Sequence, residues 1–180
     1  VGQGNKLVIV NVSNPASPTL AGQKGDLGGT VWDIAISGNY AYIVTGMGAL
    51  KVVNISNPAS PAIIASHDTR GSAEGIAISG NYAYVTDNIG LLVINISNPA
   101  APTRTATFST PTSYTTSVVL SGNYAYVVDA LGSGFYIINI SNPASPTLAG
   151  SYSSGWSADV AVNGAYAHVL TWGSQVVNVL

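Results

Sequence analysis

The chain has 180 residues, 47% of them hydrophobic and 7% charged, with five Lys or Arg against seven Asp or Glu, a net charge of -2 and no cysteine. Charge this sparse, against about 25% in an ordinary soluble domain, leaves no basic patch for phosphates or anionic lipid and argues against nucleic-acid and membrane-surface partners. The missing cysteine excludes disulfides, thiolate metal sites and cysteine nucleophiles, and the longest aliphatic stretches, such as Leu91 to Ile94, are strand-sized rather than membrane-spanning.

In chain order, Val1 leads without Met or a signal-like segment into Gly-rich sequence, as in a processed or partial chain. Leu7-Val8-Ile9-Val10 is the first predicted strand. The link Ser13-Asn14-Pro15-Ala16-Ser17-Pro18 and an outer strand complete a partial unit, 1–29. Unit 30–71 is fuller: strand Ile34-Ala35-Ile36, turn Ser37-Gly38-Asn39, strand Tyr40-Ala41-Tyr42, strand Val52-Val53, the same Pro-rich link, then Ala62 to Ala65. Units 72–113 and 114–154 repeat that order, and 155–180 stops after a third strand at Gln175 to Val179. The Ser-Gly-Asn-Tyr-Ala-Tyr hairpin recurs every 42 residues, at 37, 79 and 121 and in altered form at 163.

Each part of the unit has a physical reading. Ser-Gly-Asn tolerates the positive φ of a tight hairpin. Side chains alternate along a strand, so Tyr-Ala-Tyr puts two large residues on one face and a small one on the other, and neighbouring sheets can nest. The continuous apolar third strands imply burial on both faces. Eight of the nine prolines lie in the links, where no ladder hydrogen bond is needed. Four short strands repeated at this period predict an all-β chain, a β-propeller of four-stranded antiparallel blades with four blade equivalents; a β-solenoid is the alternative.

These motifs resemble the LVIVD repeat, whose name the stretch Leu7-Val8-Ile9-Val10 spells up to its last letter, and the resemblance covers essentially the whole chain. It implies a propeller-type repeat of bacterial and archaeal secreted or surface proteins, and little about function. The chain departs from the pattern where Asn11, Asn54, Asn95, Asn139 and Asn178 stand in place of the family Asp. The Asp before the first strand is kept as Asp33 and Asp159 but is Gly75 and Ser117 elsewhere. The Asp after Tyr-Ala-Tyr is kept as Asp87 and Asp129 but is Thr45 and Thr171 elsewhere. This patchiness suggests local capping of hairpins.

The Asn substitutions create N-x-S acceptor sequons at Asn11, Asn54, Asn95 and Asn139. They read either as a regularly glycosylated surface or as side chains that bond the local backbone and were copied with the repeat. Asp33, Glu74 and Asp159 fall near the axis expected of a propeller, but too few further oxygen donors accompany them for a metal. His67 and His168 lie in different strand types, and His168, in the second tyrosine position, is expected to pack as a tyrosine would. Gly2-Gln3-Gly4 and Gly46-Met47-Gly48 precede no helix and read as turns rather than phosphate loops. Trp32, Tyr114, Trp156 and Trp172 are the candidates for stacking on a ligand ring, and the stretch Arg104 to Tyr114 is a candidate binding loop.

No nucleophile elbow or catalytic triad pattern is present, so the chain is expected to be neither an enzyme nor the holder of a cofactor or metal. The leading expectation is an extracellular or cell-surface structural module that assembles with copies of itself, as a filament or ring, or docks on the rest of a longer propeller. A carbohydrate- or protein-binding propeller is the alternative, with glycans or surface proteins as partners, and a fragment of a propeller enzyme the least favoured. The self-association expectation rests on the strand count. The chain opens in a third strand and ends in one, so both end units lack strands, and an unpaired edge templates another chain.

Overall fold

The computed structural model describes residues 4–111, 114–131, 134–171 and 177–178, and within them every regular element is a β-strand. Strands β1 (Leu7–Asn11) and β2 (Thr19–Lys24) form a two-stranded sheet. The next sheet runs β3 (Val31–Ser37), β4 (Tyr40–Thr45), β5 (Ala49–Asn54), β6 (Ala62–Asp68). Two more four-stranded sheets follow: β7 (Gly75–Ser79), β8 (Tyr82–Asp87), β9 (Gly90–Asn95), β10 (Thr103–Ser109); then β11 (Thr115–Ser121), β12 (Tyr124–Asp129), β13 (Gly134–Asn139), β14 (Thr147–Tyr152). The last sheet holds β15 (Ser157–Asn163), β16 (Tyr166–Thr171) and β17 (Val177–Asn178). All pairings are antiparallel between strands consecutive in sequence, which rules out the β-solenoid.

The repeated residues make the repeated geometry. Gly38, Gly80, Gly122 and Gly164 take φ of 56°, 56°, 56° and 58° in the first hairpin of each sheet, a region that costs an L side chain strain. At the end of each third strand, Asn11, Asn54, Asn95 and Asn139 accept through Oδ1 the backbone N–H of Ser13, Ser56, Ser97 and Ser141, each at 2.9 Å. Asn14, Asn57, Asn98 and Asn142 do the same for the Ala two residues on. Two successive Asx turns therefore steer every link, and the asparagines have a structural role at all four sequons. Asp87 and Asp129 accept the N–H of Ile89 and Leu131, at 2.8 and 2.7 Å, capping their hairpins as the sequence suggested.

The core lies between sheets. Tyr42, Val44, Leu50 and Val52 on one face of the second sheet meet Ala83, Val85, Leu92 and Ile94 of the third, all 2% exposed or less. Tyr84, Leu91 and Val93 on the other face of the third sheet meet Ala125, Val127, Tyr136 and Ile138 of the fourth. Burying each such aliphatic side chain is worth about 1.5–3 kcal/mol, so the two interior seams dominate stability. The first strands β3, β7, β11 and β15 pack against one another in succession, which places them innermost. Among the described residues the sheets do not close on themselves and form an arc of a propeller.

Several expectations change at the ends. Third strands β5, β9 and β13 are buried on both faces, but β1 leaves Val8 and Val10 52% and 46% exposed. His168 is exposed where Tyr42 and Tyr84 are buried, and among the described residues no further sheet lies against its own. Of the expected binding loop, Arg104 to Tyr114, the residues Arg104 to Ser109 belong to the outermost strand β10 (Thr103–Ser109). Trp172 and most of Gln175 to Val179 lie outside the described residues, as do Gly2 and Gln3.

Candidate functional site

The inner strands begin on one side of the arc, and there the repeat departs from its own regularity. Positions 32, 74, 116 and 158, one per unit and 42 apart, hold Trp, Glu, Thr and Ala. Positions 30, 72, 114 and 156 hold Thr, Ser, Tyr and Trp. The hairpin a few residues away is nearly invariant, so the copies differ where the fold does not require sameness. In three of the four units the strand register shifts at this point: between Val31 and Asp33, between Thr115 and Ser117, and between Ser157 and Asp159. Such bulges re-aim the extra residue, here Trp32, Thr116 and Ala158.

Together they line a cleft of about 550 Å³, bounded by Trp32, Glu74, Tyr114, Thr116, Ala130, Trp156 and Ala158. That is within the range of ligand pockets, roughly 300–1,000 Å³. The aromatic faces are open: Trp32 is 44% exposed, Tyr114 38% and Trp156 62%. The structure thus gathers three of the four candidate stacking residues at one place. Gly46 allows the placement of Trp32, because a Cβ there would lie 2.5 Å from the indole Nε1. Tyr114 is anchored by its carbonyl, which accepts the Ala130 N–H at 2.9 Å.

Glu74 contributes the carboxylate. Burial pushes its pKa up, partly offset because the Tyr114 hydroxyl donates to it; the same bond, with burial, raises the Tyr114 phenol. The Thr116 hydroxyl is turned to the backbone carbonyls of Ser157 and Ala158, both at 3.3 Å. The polar handles facing a ligand are therefore the Glu74 carboxylate and the Tyr114 hydroxyl.

Asp33 and Asp159 sit beside the cleft but work as ties between sheets. Asp33 accepts Ile34 N–H at 2.7 Å and, across the seam, Ile76 N–H at 2.9 Å. Burial raises its pKa against those two bonds. Asp159 accepts the Ser117 hydroxyl at 2.7 Å and Val160 N–H at 2.8 Å. Among the described residues no three His, Cys, Asp or Glu converge as metal ligands. His67 lies elsewhere, in a shallow recess with Asp68, Arg70 and Arg104, where burial first and then Arg104 push its pKa down. The missed signal was the 42-residue column through position 32, whose divergence is visible in the sequence once the units are stacked.

Four-stranded antiparallel sheets stacked seam to seam, with their first strands innermost and an aromatic cleft at the strand starts, define a β-propeller repeat module. The LVIVD repeat matches at residues 1–24, 28–69, 70–110 and 113–154, and the chain belongs to the LVIVD-repeat family. No curated protein matches it. Among solved structures it is similar to a functionally unknown protein from Desulfotomaculum acetoxidans, with TM-score 0.71 at 19% identity, over 93% of this chain and 56% of that one. The β-propeller domain of Cps50 (Swd1) from Myceliophteria thermophila gives 0.68 at 12%, over 85% and 53%. The computationally designed Ika4 gives 0.70 at 13%, over 84% and 91%. At these identities the likeness is one of fold, and the chain spans about half the length of the two natural proteins.

Proposed function

We propose that this propeller module is a non-catalytic, extracellular interaction protein that binds neutral carbohydrate in the cleft between Trp32 and Trp156. The observation that carries this reading is the gathering of three open aromatic faces around one carboxylate, drawn from two neighbouring repeat-equivalent columns at the starts of the inner strands. A pyranose ring presents C–H groups on its faces and hydroxyls at its edge. Trp32, Tyr114 and Trp156 offer apolar platforms for the faces, and Glu74 with Tyr114 offers acceptor and donor for the edge. The extracellular setting is supported by a surface poor in charge and by the four sequons. A structural, self-associating role is the second reading, favoured by apolar faces left open on the two outermost sheets.

The test is a calorimetric titration with gluco-, manno-, galacto- and xylo-oligosaccharides. Saturable binding to one series is expected, weakened about tenfold, or about 1.4 kcal/mol, in Trp156→Ala with folding unchanged. Binding of none, or binding of choline in preference to every sugar, would overturn the carbohydrate reading; the latter would make the cleft a cation cage.

A further inference from the structure

The outer strands β6 and β10 carry polar side chains where the other copies of the repeat hold apolar ones. Facing the last-but-one residue of the third strand are Leu20, Ile63 and Leu148 in the first, second and fourth sheets, but Arg104 in the third. Phe108 and Tyr152 face Leu91 and Phe135, whereas His67 faces the equivalent Leu50. Three residues after Tyr152, Gly155 takes a φ of 76°; three after His67, the same place holds Arg70 at φ 68°, a region that few non-glycine residues adopt. Leucine, phenylalanine and glycine would serve the fold at these three places, so the fold alone does not ask for His67, Arg70 and Arg104.

The three meet in space. Residues paired across strands share a face; Leu50 and Ile94, the partners of His67 and Arg104, point into the seam between the second and third sheets. At the outer end of that seam His67, Asp68, Arg70 and Arg104 line a recess of about 170 Å³. Ligand pockets ordinarily hold roughly 300–1,000 Å³, so this one takes a single functional group. The backbone fixes both cationic arms. Arg104 donates from Nη2 to the Thr69 carbonyl at 2.8 Å, and the Thr69 N–H donates to the Gly48 carbonyl at 2.8 Å. The Asp68 Oδ1 accepts the Arg70 N–H at 2.8 Å, and the Arg70 side chain is exposed.

The charges define the group. Burial and then Arg104 push the His67 pKa down, and its Nε2 is buried with no hydrogen-bond partner among the described residues, so the ring is neutral at neutral pH. Two guanidinium charges then stand against the Asp68 carboxylate. Asp87, raised to about 6 and within reach of the Arg104 charge, takes a further share. The recess is at most singly positive, which suits a monoanion better than a dianion.

We propose that the recess between Arg70 and Arg104 binds a carboxylate, either of a small free acid or of an acidic sugar. The site is separate from the cleft and does not rest on the carbohydrate reading. Guanidinium forks match the two oxygens of a planar carboxylate, and two of the chain's five Lys and Arg are gathered here although its charge is otherwise scattered.

The test follows the His67 ring in ¹H–¹⁵N spectra, told from His168 by His168→Gln, during titration with acetate, glucuronate, glucose and glucose 6-phosphate. It is run at about pH 7.5, where a phosphomonoester is close to doubly charged. The expected result is a saturable shift with acetate and glucuronate and none with glucose. Equal affinity for the two acids assigns the site to free carboxylates, and tighter glucuronate to acidic sugars. Arg104→Leu and Arg70→Gly, which restore the residue types of Leu148 and Gly155, should each weaken binding at least about tenfold without lowering the urea midpoint. No shift, a shift with glucose, or a preference for glucose 6-phosphate would overturn the proposal. So would variants that bind the acids as the parent does, whatever their stability, since the arginines would then be structural.

Discussion

Asp87 offers the sharpest test of how the sheets are packed. It is fully buried at the end of β8; its Oδ1 accepts the Ile89 N–H at 2.8 Å, and its Oδ2 has no hydrogen-bond partner among the described residues. Burial pushes its pKa from 3.8 up to about 6, against the lowering effects of the Ile89 N–H and of Arg104. Between those two values the native chain holds a proton that the unfolded chain has released, so stability falls as pH rises through the window and levels off above about 6. A rise of about two units corresponds to roughly 3 kcal/mol. Asp87→Asn keeps an acceptor for Ile89 and cannot titrate. The stability of the variant minus that of the parent should therefore become more positive by up to about 3 kcal/mol from pH 4 to pH 7. The fixed cost of burying the new amide cancels in that difference. Urea unfolding followed by tryptophan fluorescence at the two pH values measures it. A difference that stays constant or shrinks with rising pH would refute the reasoning.

Two further predictions concern the cleft and the links. Gly46→Ala should push the Trp32 indole aside and weaken oligosaccharide binding about tenfold, or 1.4 kcal/mol, while the melting temperature holds, because a side chain rather than backbone must move. Asn95→Ala should lose the bond to the Ser97 N–H and cost about 0.5–1.5 kcal/mol in chemical denaturation, whereas Asn95→Asp, which keeps the acceptor, should cost less.

The repeat made the fold legible. Turn glycines at a fixed period, two-face-buried third strands and Pro-rich links each specify a local geometry, and the three agree on antiparallel four-stranded units. The capping by Asp87 and Asp129 followed from their place after the Tyr-Ala-Tyr strand. The cleft was half legible: Trp32, Tyr114 and Trp156 stood out as aromatics. Their convergence depends on bulges at 32, 116 and 158, a feature of backbone register that hydrophobic alternation does not encode. His168 stands at the position of the buried Tyr42 and Tyr84, but burial there depends on a neighbouring sheet, and the described residues place none against it. The first part of the loop expected at Arg104 to Tyr114, up to Ser109, is strand β10, where a bulge between Arg104 and Ala106 breaks the alternation that would have marked it.

The most direct measurement is a ¹H–¹⁵N spectrum of the tryptophan indoles during titration with the four oligosaccharide series, with signals assigned through Trp→Phe variants. The account predicts that the Trp32 and Trp156 signals shift together and saturate with one series. Indoles that stay still, or that stay still while backbone signals elsewhere move, would contradict a carbohydrate site in the cleft.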